Sequence, residues 1–239
     1  MITKHQFPKT IESFLSGETI LINKPLNWTS FDVVNKIRHS LRNKLGIKNI
    51  KVGHAGTLDP LATGLIIICT GKSTKQISNY MNMPKEYETT FRFGSTTPSY
   101  DAESEINETF PFKHITKPLL EEVIQSKFLG KIKQTPPMFS AKKIDGKRAY
   151  QFARKGIEKK MLSKEIEIMD FKIISFDLPD IIFSIHCSSG TYIRALARDL
   201  GKDLKSGAYI LKLKRTKISN FLLADSLEIT TFVNFLQQM

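Results

Sequence analysis

Apolar residues recur along the chain in two rhythms, and the switches between them mark its elements. Val33, Val34, Ile37, Leu41 and Leu45 fall at helical spacing behind Trp28-Thr29-Ser30, with Ser30 placed to cap the helix and Gly46 to stop it. A helix over 73–81 would turn Ile77, Tyr80 and Met81 inward, and another runs from Thr116 through Leu119, Leu120, Val123, Ile124 and Phe128 to a stop at Gly130. Ile193, Leu196, Ala197 and Leu200 share one side of a helix over 191–200. A last helix over 230–238 packs Phe232, Val233, Phe235 and Leu236.

The other rhythm is that of strands. One covers 19–23 and is ended by Lys24-Pro25; LIIIC at 65–69, bounded by Gly64 and Gly71, reads as a buried strand. Alternation over 87–93 (YETTFRF) and 209–214 (YILKLK) predicts half-buried strands, and two more occupy 164–176 and 181–187. Strands often follow strands, which predicts an α+β fold with an antiparallel or mixed sheet rather than a doubly wound one.

Two stretches lack either rhythm. Residues 95–108 are polar and acidic, an exposed connection. Residues 131–156 hold few periodic apolar positions and several Pro and Gly, so they read as a long ordered loop with a short helix at 149–155, and loops of that size in compact domains usually serve function. A third segment, 53–65, reads GHAGTLDPLATGL. Its turn formers Gly53, Gly56, Pro60 and Gly64 hold the carboxylate of Asp59 on a tight loop at the mouth of the following strand.

Composition narrows the class. With 239 residues and 41% hydrophobic content the chain can bury one large core. No apolar run approaches the length of a membrane span, and the amino terminus lacks a signal-peptide pattern. Cys69 and Cys187 have no CxxC neighbours, read as buried thiols and fit a reducing cytoplasm. A formal charge of +13 favours a polyanion partner. The basic residues concentrate at Lys142, Lys143, Lys147, Arg148, Arg154, Lys155, Lys159 and Lys160, with Tyr150 and Phe152 interleaved as stacking surfaces. Lys36, Arg38, Arg42 and Lys44 read instead as the solvated face of their helix. CTGKST at 69–74 ends like a phosphate-binding loop, but the glycine that motif needs is Ile66. The five histidines form no metal-like cluster.

The block around Asp59 is followed, in order, by Lys85-Glu86-Tyr87, by QTPPMFSAKKIDGKRAY at 134–150 and by HCSSGTYIRALARDLG at 186–201. Together these resemble the TruB family, the tRNA pseudouridine synthases that modify the position-55 uridine of the T arm, over most of the chain. The resemblance implies a pseudouridine synthase fold over a single catalytic domain, 1–239, with an RNA-gripping insertion at about 131–164. It implies a cofactor-free, metal-free, monomeric enzyme whose partner is the tRNA T arm, with no membrane and no obligatory protein partner. Most bacterial members continue into a small RNA-binding PUA domain, for which 239 residues leave no room.

Residue by residue, Asp59 matches the catalytic aspartate, and a carboxylate suits because it can attack carbon and later leave. Arg194 matches the arginine that pairs with it; without the resemblance it would read as a helix-surface charge beside Arg198 and Asp199. Tyr87 matches the tyrosine that stacks on the flipped uracil, Tyr192 a second active-site tyrosine, and His54 the residue that takes the flipped nucleotide's place. Leu213 aligns with an apolar wall of the uracil pocket. Lys142, Lys143, Lys147, Arg148 and Arg154 would hold phosphates. Attack at ribose C1′ and at uracil C6 both stay open, as does an added role in tRNA folding. The acidic residues at 99–105 depart from the family pattern at Tyr100 and Glu103 and are not expected to touch catalysis. The rival readings are a guide-dependent rRNA synthase and a non-catalytic tRNA-binding factor.

Overall fold

The computed structural model describes the chain apart from residues 8, 9, 141, 142, 145, 154–156, 158 and 160; for 143, 144, 147, 148, 150 and 153 it describes only the backbone. In chain order the elements are α1 (Ser13–Ser16), β1 (Thr19–Lys24), α2 (Ser30–Leu45), β2 (Val52–Ala55), β3 (Ala62–Thr70), α3 (Ile77–Met81), β4 (Lys85–Phe93), β5 (Ser95–Thr96) and β6 (Glu108–Thr109). There follow α4 (Lys117–Lys127), β7 (Gly130–Gln134), β8 (Lys143–Ile144), β9 (Lys147–Arg148), α5 (Ala149–Ala153), β10 (Lys164–Asp177) and β11 (Asp180–Cys187). The chain ends with α6 (Ile193–Asp203), β12 (Ala208–Ile218), β13 (Phe221–Leu222), β14 (Leu227–Glu228) and α7 (Ile229–Gln238). Two compact units result, one of residues 1–87 and 213–239 and one of residues 88–212. Among the described residues no helix is long and apolar enough to cross a membrane.

In the first unit β1 lies between β14, to which it runs parallel, and β3, which it pairs antiparallel from Thr19↔Cys69 to Lys24↔Gly64. β2 also pairs β3, and the end of β12 joins β3 in parallel through Leu213↔Ala62 and Arg215↔Gly64. Both faces of β3 are covered, which is why it is apolar without alternation. Ile66 and Ile68 meet Val33, Val34, Ile37 and Leu41 of α2 and Phe232 of α7, while Leu65, Ile67 and Cys69 face Ile218 with Ile77 and Tyr80 packed against them. Gly64 stands at φ 103°, and a Cβ there would lie 2.3 Å from the Arg215 carbonyl oxygen, so only glycine lets β12 approach so closely.

Three expectations change in this unit. Thr29, not Ser30, caps α2: its side chain accepts from Asp32 N–H, and Asp32 reaches back in a capping box. Gly46 does close the helix in the left-handed conformation. The helix over 73–81 is a 3-10 turn followed by the short α3, and Met81 is exposed, not inward. Gly53 and His54 lie in β2, hidden in the sequence because its residues overlap the glycine-rich block.

In the second unit β4, β11, β10 and β7 follow one another, with β10 antiparallel to both neighbours. Phe91, Phe171 and Phe183 form the ring cluster beneath them, joined by Phe128 at the end of α4. β7 and the β8–β9 pairing replace much of the loop expected over 131–156; Lys131 and Lys133 alternate outward along β7, leaving only Ile132 as an apolar marker. Cys187, like Cys69, is buried and forms no disulfide. The connection at 95–108 is not simply exposed: Ser95, Thr97, Ser99 and Asp101 are buried.

Candidate active site

Asp59 sits on the loop between β2 and β3, half-buried, and the residues on either side of it are locked. Ser30 Oγ accepts from Leu58 N–H at 2.8 Å and donates to the Leu58 carbonyl at 3.1 Å, all within the buried interior. On the far side the Pro60 carbonyl accepts from Asn27 N–H at 2.9 Å and from the Lys24 ammonium at 3.3 Å. The Asp59 carbonyl accepts from Ala62 N–H, closing the turn into β3. The local reason is polar chemistry at helix and strand ends: Ser30 is freed for this contact because Thr29 supplies the cap.

Two buried cations flank the loop. Lys24 is fully buried and also donates to the carbonyls of Pro25 at 2.9 Å and Trp28 at 2.5 Å. Burial draws its pKa down to about 8, opposed by the negative charges of Asp59 and Asp32 and assisted by Arg215. Arg215, 1% exposed, donates to the Leu65 carbonyl at 2.7 Å and the Gly56 carbonyl at 3.2 Å, tying the start of the loop to β3. His54, in β2, has its pKa lowered by burial and then by the Arg215 charge, so its imidazole is favoured neutral. Leu213 is half-buried and pairs Ala62, three residues beyond Asp59. Tyr87 is buried in β4. Asp59, His54, Tyr87 and Leu213 thus belong to the first unit.

Tyr192 and Arg194 belong to the second. Tyr192 precedes α6, and its backbone is gripped by the Gln134 amide, which accepts from Tyr192 N–H at 2.8 Å and donates to its carbonyl at 3.1 Å. Arg194 is buried in the first turn of α6; Nη1 donates to the Ser99 carbonyl at 3.1 Å and Nη2 to that of Phe139 at 2.7 Å. Its Nε lies 3.5 Å from the Asp101 carboxylate, which also accepts from Ser99 Oγ and Glu103 N–H. It is Arg198, not Arg194, that pairs with Asp199.

Lys142 and Arg154 lie outside the described residues, as do the side chains of Lys143, Lys147 and Arg148.

Several positioning groups escape sequence reasoning. Ser30 reads as a cap and Lys24 as a strand end. Asp101 falls in a stretch that reads as exposed; its signal is Thr97, Ser99 and Asp101 at alternate positions, a strand-like rhythm written in polar residues.

The family profile described as "TruB family pseudouridylate synthase (N terminal domain)" matches residues 42–193. A protein of Phocaeicola vulgatus named tRNA pseudouridine synthase B is 52% identical over 226 residues, which is 95% of this chain and 96% of that protein. The chain belongs to the TruB family. The Flavobacterium johnsoniae protein of the same name is 50% identical, over 95% of this chain and all of its own length. The Clostridium kluyveri one is 43% identical over 86% of this chain and 68% of its own length. Among solved structures, "Crystal Structure of a Cbf5-Nop10-Gar1 Complex" aligns with a TM-score of 0.70 and 23% identity, over 95% of this chain and 56% of that one. At that identity the likeness speaks for the TruB chain's fold, which is the pseudouridine synthase fold with a mixed sheet and flanking helices.

Proposed function

We propose that this TruB chain converts the T-arm uridine at position 55 of tRNA to pseudouridine, with Asp59 as nucleophile on a base flipped out of the RNA. The observation that carries the reading is the locking of the Asp59 loop at both of its neighbours, through Ser30 on Leu58 and through Lys24 and Asn27 on Pro60. A nucleophile held on a rigid backbone spends no free energy finding its attack geometry. Half identity to tRNA pseudouridine synthases B over almost the whole chain supports the same substrate.

In the reaction the N1–C1′ bond breaks, the uracil turns, and a C5–C1′ bond forms. The C5 proton leaves and N1 takes one up, so the formula is unchanged and no cofactor is required. Asp59 adds to carbon and is later expelled. Arg194, itself oriented by Asp101 and two carbonyls, serves as the cationic partner that keeps Asp59 ionised. Tyr87 receives the uracil face, Leu213 walls the pocket, Tyr192 orients the nucleotide and a neutral His54 fills the gap left in the stack. The chain acts as one catalytic body and as a monomer, with 131–164 and its basic residues Lys142, Lys143, Lys147, Arg148 and Arg154 gripping phosphates.

The test is tritium release from tRNA carrying uridine labelled at C5. The expected result is one tritium per tRNA with wild type and none with Asp59→Ala, the label lost from the T-arm uridine. A folded, tRNA-binding wild type that releases none would overturn the reading.

A further inference from the structure

Two large apolar side chains stand exposed next to the segments that lock the Asp59 loop: Leu26 at 53% and Phe31 at 58%. Each neighbours a locking residue. Leu26 precedes Asn27, whose N–H holds the Pro60 carbonyl, and Phe31 follows Ser30, whose hydroxyl holds Leu58. Phe31 also begins a stripe along α2 in which Asn35, Arg38 and Arg42 recur at helical spacing. Arg38 is not a freely solvated charge. Its guanidinium lies 5.9 Å from the centre of the Phe31 ring, and it donates to Asn35 Oδ1 and to the Val52 carbonyl, both at 2.9 Å. Val52 opens β2, the strand that carries His54. The one acid in the first turn, Asp32, is tied into the Thr29 cap and held ionised there, a single negative charge against the two guanidinium groups of the stripe.

We propose that Phe31, with Arg38 and Arg42 along the stripe, is a docking surface for an unstacked nucleotide of the substrate RNA adjoining the target uridine. An aromatic face next to guanidinium groups fits single-stranded nucleic acid: a base stacks on the ring while phosphates meet the cations, without sequence readout. Occupancy by RNA follows from continuity, because the same backbone segments hold the Asp59 loop, and from charge, because the stripe is cationic in a chain of net charge +13. The surface rests on the reading of the chain as an RNA isomerase, and its test is a binding measurement so that the two can fail separately.

The experiment measures Kd for a T-arm stem-loop RNA by fluorescence anisotropy, with wild type, Phe31→Ala, Phe31→Leu and Phe31→Trp, and circular dichroism to check folding. Phe31→Ala and Phe31→Leu are expected to weaken binding roughly tenfold, equivalent to about 1.4 kcal/mol, while Phe31→Trp binds like wild type. In steady state the same loss appears in KM with kcat kept, which separates docking from damage to the catalytic loop. Arg42→Gln is expected to flatten the dependence of log Kd on log salt by about 0.7, one phosphate's share, and Phe31→Ala to leave that slope alone. Phe31→Ala within twofold of wild type overturns the surface, and so does Phe31→Leu binding as wild type, since stacking needs the ring. Tight RNA binding by a wild type that forms no pseudouridine would sink the isomerase reading and leave the Phe31 comparison fully decisive for the surface.

Discussion

Ser30 and Leu58, 28 positions apart, exchange two hydrogen bonds through one hydroxyl, which serves as donor and acceptor to the backbone immediately before Asp59. Ser30→Ala would leave a buried N–H and a buried C=O unpaired, at about 1–3 kcal/mol. The expected outcome is a kcat lowered at least tenfold with KM within twofold, since the loop that presents Asp59 loosens while the RNA surface stays. Chemical denaturation alongside single-turnover kinetics checks both halves.

Lys24 gives a pH signature. Its folded pKa is about 8 against an ordinary 10.5, so the unfolded chain binds the proton more tightly. Stability from this group therefore rises with pH between about 8 and 10.5 and is flat outside that window. The difference in unfolding free energy between wild type and Lys24→Met should move in favour of wild type as pH climbs from 8 to 10. Urea titrations at three pH values would show it, and a pH-independent difference would contradict the assignment.

Asp101 bears on Arg194 alone among the proposed catalytic groups. Asp101→Ala takes one charged partner from the buried Arg194 guanidinium, a change worth roughly 1–3 kcal/mol. Asp101→Asn keeps acceptors for Ser99 and Glu103 and should be milder in stability, yet strongly reduced in kcat. Thermal melts and tritium release on both variants would separate orientation of Arg194 from global unfolding.

Gly64→Ala is expected to be among the least tolerated single changes. The new methyl would sit 2.3 Å from the Arg215 carbonyl at a φ of 103°. Both the clash and the left-handed backbone must be relieved by parting β3 from β12. A drop of several kcal/mol, or failure to accumulate as folded protein, is expected from the strain alone. Gly46→Ala makes the contrast: it shares positive φ but has nothing within 4 Å of the added methyl, so it should lose only about 1 kcal/mol.

The periodic part of the molecule is legible in the amino-acid sequence. Helix α2 and the apolar β3 follow from spacing alone, because burial on one face or on both leaves a direct mark on composition. What escapes has a common physical cause. Ser30, Lys24 and Gln134 are polar residues held by partners 28, 36 and 58 positions away, and such partners leave no local rhythm. Thr29 and Ser30 are alike as potential caps, and only the position of Leu58 decides which hydroxyl does which task. β2 is hidden for a different reason: four residues including glycine and histidine resemble a turn until β3 is there to pair with.

The first unit is assembled from both ends of the chain, and β1 pairs Leu227 of β14 through Ile22. During synthesis the second unit, one unbroken stretch, is available to fold while the ribosome is still at work. β1 can pair β3 early, but the first unit gains β14 only when Leu227 has been made, so the unit that carries Asp59 is completed last. Nascent chains arrested before that point should carry a formed second unit and no isomerase, which makes activity a late event in the protein's life rather than one that grows with chain length.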